Sequence, residues 1–340
     1  MKDCKKKSKE ELREEVKELS QEFENGLEKL FQSDEYIQFL SVMAKRPRYS
    51  LRNNLLIFLQ NPDATFVSGY KTFLNNYGHQ VQKGERGIRI LAPIVHKSKK
   101  KKSTDDDFVL IEMDDKKQEE KEDTYVSFCV VRVFDISQTK PVTVTTENGE
   151  IILSPKAQKL IDSLSYLDIA EIIAEDESYT EKLLTAITDA VPIPVRYKEL
   201  RKGLGGYFSF KDKDDLHIVL NTLYSGANLV ETLVHEWAHY ALHNPYGENS
   251  EEAKKTKNSD KEIQAESIAY IVLKHFSIDA SCEALKYVAS WSISKTTEDL
   301  KNSMELIQKT AADMITIVEN GLIKEYPLPI SEEIDDWRTA

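Results

Sequence analysis

The stretch Thr232-Leu233-Val234-His235-Glu236-Trp237-Ala238-His239-Tyr240-Ala241 decides how the C-terminal half of this chain is read. No Pro or Gly interrupts residues 229–242, Asn228 and Glu231 form a capping pair ahead of them, and Pro245 marks an end, so the stretch is expected to be helical. On a helix His235 and His239 stand one turn apart on the same face, and both imidazoles can reach one tetrahedral Zn²⁺ at about 2.0–2.1 Å. Glu236 projects beside that position. It can act as general base toward a water whose pKa zinc lowers to about 7 as the water attacks a polarised carbonyl. Chance alone places such a motif in about one chain in a hundred of this size. The setting adds to the signal, because the flanking and variable positions are uncharged.

A third ligand is expected from a second helix, Asp260-Lys261-Glu262-Ile263-Gln264-Ala265-Glu266-Ser267-Ile268-Ala269-Tyr270. Glu262 and Glu266 lie four apart on one face, while Ile263, Ile268, Ala269 and Val272 can pack inward. Glu262 is assigned to zinc and Glu266 to a hydrogen bond that orients a ligating histidine; the opposite assignment stays open. His243 continues the spacing of four, but it stands about 12 Å along the axis from His235, too far to share one ion. It reads as a helix C-terminal residue placed favourably on the dipole. His275, His217 and Asp279 are weaker ligand candidates. Residues 216–221 read as ordinary sheet, with the strand along whose edge an extended substrate aligns as the alternative. The glycines of 203–206 make no nucleotide loop, since no GK[ST] follows, and are read as easing a turn into a hairpin.

Outward from this site, 340 residues exceed one compact core, and two domains are expected. Residues 8–31 read as a solvated helix capped by Ser8 and Glu11, followed by helices from residue 33 to before Pro47, over 51–60 and over 68–76. The period then changes. Residues 79–82 and 88–91 read as a hairpin closed by the Lys83 to Gly87 turn, with further strands at 108–112 and 125–134. Charged tracts at 97–102 and 114–123 read as solvated loops. A helix opening at Pro155, another over 178–190, and a long one carrying Leu300, Met304, Ile307, Ala311, Met314 and Val318 and ending at Gly321 complete the pattern.

A net charge of −12 argues on its face against a polyanionic partner, yet residues 45–102 hold thirteen Lys or Arg against Asp63 and Glu85, a local balance of +11. Within that region Lys45, Arg46, Arg48, Arg52, Lys71, Lys83, Arg86 and Arg89 are interleaved with Tyr49, Phe58, Tyr70, Phe73 and Tyr77. Cations that track a backbone beside aromatic faces suit single-stranded nucleic acid. The N-terminus shows no export signal, no transmembrane stretch follows, and three isolated cysteines suit reduced thiols, so a cytoplasmic protein with no membrane partner is expected.

Four blocks carry a family resemblance: residues 49–57, 64–73, 81–93 and 133–139. In order and spacing over about residues 10–140 they resemble the N-terminal domain of ArdC-type antirestriction proteins. The resemblance implies single-stranded DNA binding and a companion zinc-peptidase-like domain; residues 190–275 also look like the ImmA/IrrE-type peptidases. It further implies a protein of mobile genetic elements that protects incoming DNA from host restriction. The chain departs from the family in its charged 97–123 insertion and in lacking Trp in the N-terminal region, where Phe73 stands at an expected stacking position.

The reading is therefore an α+β protein. An N-terminal helix-plus-small-antiparallel-sheet module (1–140), binding single-stranded DNA through Arg46, Arg48, Tyr49, Arg52, Lys71, Phe73, Lys83, Arg86 and Arg89, joins through a linker (141–154) to a mainly helical, zincin-like domain (155–340). The expected activity is a gluzincin-like metallopeptidase with Zn²⁺ on His235, His239 and Glu262, Glu236 as base, Glu266 behind, and a protein substrate that the sequence does not name. The rivals are a non-enzymatic DNA-binding shield with structural zinc and a regulatory peptidase that cleaves a repressor. Intact Glu236 favours an enzyme, because a structural site has no use for a base and closes with four protein ligands.

Overall fold

The computed structural model describes residues 8–31, 35–97, 124–162, 177–248, 250–279, 285 and 288–325. The strand expected at 108–112 and the charged tracts at 98–102 and 114–123 lie outside them. The fold is α+β, with small sheets set among long helices.

The first helix, α1 (Lys9–Phe31), starts on a reciprocal cap: the Glu11 amide donates to Ser8 Oγ at 3.1 Å and the Ser8 amide to Glu11 Oε2 at 2.7 Å. It is not the solvated helix expected. Its apolar stripe continues past Leu19 through Phe23, Leu27 and Leu30, all buried, because the steps of four and three keep these residues on one face against the following helices. Helix α2 (Glu35–Lys45) turns Tyr36, Phe39, Leu40 and Met43 inward as expected. Helix α3 (Leu51–Gln60) opens on Ser50, whose hydroxyl accepts from the Asn53 amide.

Strands β1 (Val67–Gly69), β3 (Ile88–Lys97) and β4 (Thr124–Asp135) form an antiparallel sheet in the order β1-β4-β3. Helix α4 (Tyr70–Asn75) follows β1. The expected hairpin between 79–82 and 88–91 does not form: β2 (His79–Val81) pairs with β5 (Thr139–Pro141), and β3 pairs with β4 along its whole length. Burial explains the choice. Ile88 and Ile90 fill a cluster with Ile57, Ala64, Val67 and Val133, while His79 Nδ1 lies 2.9 Å from Thr139 Oγ1 across the other pair. The stretch 141–154 holds a short hairpin, β6 (Thr143–Thr145) and β7 (Ile151–Leu153), before helix α5 at 155–162.

Beyond α6 (Glu177–Ala190), a second sheet has the order β8-β10-β9, from β8 (Val195–Lys198), β9 (Gly206–Ser209) and β10 (His217–Asn221). Strand β10 is therefore central, parallel to β8 and antiparallel to β9, as the ordinary-sheet reading of residues 216–221 has it, and the alternative of a substrate edge there does not hold. That edge belongs to β9. Helix α7 (Ala227–His243) begins behind Gly226 without a side-chain cap, since the turn at Gly226 starts the helix ahead of the expected pair Asn228 and Glu231. Helices α8 (Ser250–Lys255), α9 (Asn258–His275), α10 (Val288–Ser292) and α11 (Thr297–Glu325) follow. Helix α11 runs straight through Gly321, because glycine permits a C-terminal turn without forcing one.

One apolar core joins the two halves. Leu19, Phe23 and Phe39 share it with Leu233, Ile268 and Met304, and two polar contacts sit at the junction: Tyr36 OH to Ser267 Oγ and Ser41 Oγ to Tyr270 OH, each 2.9 Å.

Candidate functional site

Helices α7 and α9 pack face to face, and the pairing brings the predicted ligands together. His235 Nε2 and His239 Nε2 are 3.1 Å apart, and the Glu262 carboxylate lies 3.6 Å from the first and 3.5 Å from the second. Donors on a tetrahedral zinc stand about 3.4 Å apart, given bonds of about 2.0–2.1 Å. The triangle therefore fits one such ion, and its two imidazoles and one carboxylate suit zinc. Among the described residues these three form the cluster of His, Cys, Asp and Glu donors able to hold a metal.

Glu266 occupies a different position. Its Oε2 is 3.3 Å from His235 Nδ1, on the far side of the ring from the triangle, where it can orient the imidazole but not share its ion. Burial would push His235 down, yet Glu262, Glu266 and Glu236 push it up to about 10. The hydrogen bonds of His235 and His239 hold Glu262 well below the usual carboxylate range. An anionic field that retains a proton on a half-buried imidazole also attracts a metal cation.

Glu236 points to the edge strand, where its Oε2 accepts the Phe208 amide proton at 2.7 Å. Two glycines make that approach possible. A Cβ on Gly205 would meet Thr232 Oγ1 at 2.5 Å, and one on Gly206 would meet the Val219 carbonyl oxygen at 2.4 Å and Thr232 Cγ2 at 2.8 Å. Strand β9 thus lies close along α7, with Gly206 opposite Thr232 and Phe208 opposite Glu236 one helical turn later. A cleft of about 400 Å³ opens over these groups, between Tyr207, Phe208 and Phe210 on one wall and Lys254, Lys261 and Glu262 on the other.

His243, read from sequence as a helix-end residue, is buried, with Nδ1 3.0 Å from His239 Nδ1. Burial pushes it down to about 4 and keeps it neutral at ordinary pH. The missed signal was the spacing: a third histidine at an interval of four cannot join the ion but can reach the back of the second. The weaker candidates are engaged elsewhere, His217 beside Asp215 and His275 between the Ala44 carbonyl and Glu319.

The residues expected to bind DNA are divided by the fold. Arg46 is buried and donates to the Ala64 carbonyl, and burial pushes its guanidinium down to about 10. Phe73 is fully buried among Phe66, Tyr77 and His79, so a base cannot stack on it; it fills the space under α4. Tyr49 turns its hydroxyl to the Val67 carbonyl, and Arg52 lies over the Phe23 ring. Arg48 pairs with Glu319, and Arg89 with Glu18 and Glu22. Lys71, Lys83 and Arg86 remain exposed. Tyr70, grouped with the cations from sequence, is exposed beside Lys71 and meets Phe134 edge to face at 6.3 Å, and Arg132, which sequence did not single out, stands exposed beside Phe134 over Gly87. No helix among the described residues is long and apolar enough to cross a membrane.

Residues 6–134 match the family model for the N-terminal domain of anti-restriction factor ArdC. An uncharacterized Bacillus anthracis protein, pXO2-81, is 26% identical over 332 residues; the match spans 93% of this chain but 53% of that protein, so the chain covers about half of its relative's length. Among solved structures, the metal-free antirestriction ArdC protein from plasmid R388 aligns at 18% identity with a TM-score of 0.44, covering 80% of this chain and 86% of that one. Its Mn(II)-bound form aligns at 17% identity with a TM-score of 0.42, covering 80% and 85%.

Proposed function

We infer, from the premise that this is an ArdC-type protein by its N-terminal domain at residues 6–134, that it serves antirestriction with two surfaces: a single-stranded DNA site in residues 1–140 and a zinc-dependent peptidase site in residues 155–340. The observation that carries the peptidase reading is the placement of Glu236, one residue from a ligand, beside an edge strand and over an open cleft.

His235, His239 and Glu262 would hold the ion. When bound, zinc supplies a Lewis acid that polarises a substrate carbonyl and acidifies water. Glu236 removes a proton from the attacking water and returns it to the departing amine, so that water's oxygen joins the carbonyl carbon as the C–N bond breaks. The Phe208 amide keeps the carboxylate in place between those transfers. The substrate is an extended segment of protein, because β9 is an edge strand that pairs with β10 on one side and lines the cleft with Tyr207 and Phe208.

For DNA, Tyr70 and Phe134 offer aromatic faces and Lys71, Lys83, Arg86 and Arg132 offer cations with no acidic partner among the described residues. Bases stack on the former and phosphates pass the latter. Both halves are tested on one sample: elemental analysis should give one zinc per chain, a mixture of fluorogenic peptides should be cleaved, and labelled single-stranded DNA should bind more tightly than duplex. A metal-free chain with full DNA binding would refute the peptidase reading, and equal affinity for duplex would refute the single-strand reading.

A further inference from the structure

Behind His239 runs a line of polar groups that the chemistry above does not use. His243 Nε2 lies 2.9 Å from Gln264 Oε1, and Gln264 Nε2 donates to Ser303 Oγ at 3.0 Å. His243, Gln264 and Ser303 come from α7, α9 and α11, and all three are buried, at 7%, 8% and 7% exposure. Buried polar groups in a line have their donors and acceptors fixed by one another.

The directions follow from the orientation of the Gln264 amide, because the Ser303 hydroxyl can itself donate or accept. With the Gln264 nitrogen donating to Ser303, its oxygen is the atom facing His243, and an amide oxygen only accepts. His243 Nε2 must then carry the ring proton. A neutral imidazole has one such proton, so His243 Nδ1 is a bare acceptor, and the 3.0 Å contact requires His239 Nδ1 to donate. That leaves the lone pair of His239 on Nε2, the atom facing His235 and Glu262. Reversing the Gln264 amide would reverse every step and put a proton on His239 Nε2, where it would meet the cation.

We propose that His243, held by Gln264 and Ser303, is a positioning residue that sets the tautomer of His239 and so makes its Nε2 available to a metal. Glu266 does the corresponding work for His235 from the other nitrogen, so each histidine of the pair is fixed by a different class of partner: one anionic, one neutral.

The proposal rests on the metal-site reading above, and its test separates the two. Long-range ¹H–¹⁵N spectra of the metal-free wild-type chain read the ring nitrogens directly: the proton of His239 should be on Nδ1 and that of His243 on Nε2. This measurement needs no metal, so it stands whether or not zinc binds. Zinc affinity is then measured by competition with a chromophoric chelator. His243→Phe should raise Kd about 10–100-fold, the usual effect of losing an outer hydrogen-bond partner.

The decisive pair is Gln264→Met and Gln264→Glu. Methionine preserves volume but removes the acceptor, and should weaken zinc and mix the His239 tautomers. Glutamate keeps the acceptor and should hold Kd within about 3-fold of wild type. A role in packing alone predicts the opposite order, since a buried carboxylate disturbs a core more than a thioether does. A proton on His239 Nε2 in the wild type, or tighter zinc in Gln264→Met than in Gln264→Glu, would overturn the proposal. A wild-type chain with the expected tautomers and no zinc affinity would instead defeat the metal reading alone.

Discussion

Gly206→Ala adds one methyl group at the tightest contact in the C-terminal half. Its Cβ would lie 2.4 Å from the Val219 carbonyl oxygen and 2.8 Å from Thr232 Cγ2. Normal separation is about 3.5 Å, so the methyl group must move about 1 Å from the Val219 carbonyl of β10 and β9 about 0.7 Å from Thr232 of α7. A retreat of about 0.7 Å from α7 lengthens the 2.7 Å bond between the Phe208 amide and Glu236 to about 3.4 Å, at the weak limit of hydrogen bonding. The strain of such overpacking is about 1–3 kcal/mol, readable in urea melts as a lower midpoint at unchanged slope. Zinc affinity should stay within about 3-fold, because α7 and α9 supply all three ligands and β9 none. Peptide cleavage should fall by more than the lost stability accounts for, since the general base is held less firmly. Wild-type stability would show that β9 is not pinned to α7, and parallel loss of zinc affinity would show that the strand supports the ion as well as the base.

Glu236→Gln keeps an acceptor for Phe208 and removes the base, so cleavage should drop by about 10²–10⁴-fold while zinc content and DNA binding persist; undiminished cleavage would defeat the mechanism. Tyr70→Ala should weaken single-stranded DNA by about 5–150-fold, the effect of about 1–3 kcal/mol of stacking, and Arg132→Glu should also flatten the salt dependence; filter binding across a salt series checks both. Phe73→Ala should instead cost about 3–5 kcal/mol of stability, read by denaturant melts, because that ring fills core. Gly321→Ala should stabilise by about 0.5–1 kcal/mol in the same melts, since the site is exposed within a helix and an added Cβ meets nothing within 4 Å. Asp260, against a burial that would raise it, is held low by Lys295 and Trp291; its contribution is present above the ordinary carboxylate pKa and lost as pH falls through the lowered one, so Asp260→Asn should flatten the acid limb of stability.

Local signals were legible where the local interaction also decides the outcome. Spacing alone placed His235 and His239 together, set Glu262 and Glu266 on one face, and gave the burial of Leu300, Met304, Ile307, Ala311, Met314 and Val318. Strand partners were not legible, because a short extended run such as 79–82 carries no mark of its mate; pairing followed from which face could reach Ile57 and Val133. The identity of the edge strand was hidden for the same reason. The cations misled where burial overrode charge: Arg46 reads as a phosphate contact until the Ala64 carbonyl is found on its guanidinium. His243 reads as a helix-end residue, because its partner Gln264 lies on another helix and leaves no mark in the local sequence.

The core shared across the halves has a thermodynamic consequence. Tyr36 of α2 bonds Ser267 of α9, on the helix that supplies Glu262, so melting one half exposes the packing face of the other. Such a chain unfolds as one cooperative unit. Any ligand of the native state then stabilises the whole by RT ln(1 + [L]/Kd), so that DNA held near Tyr70, as proposed, would raise the temperature at which His235, His239 and Glu262 come apart. Each surface becomes a reporter on the other without any conformational signal passing between them.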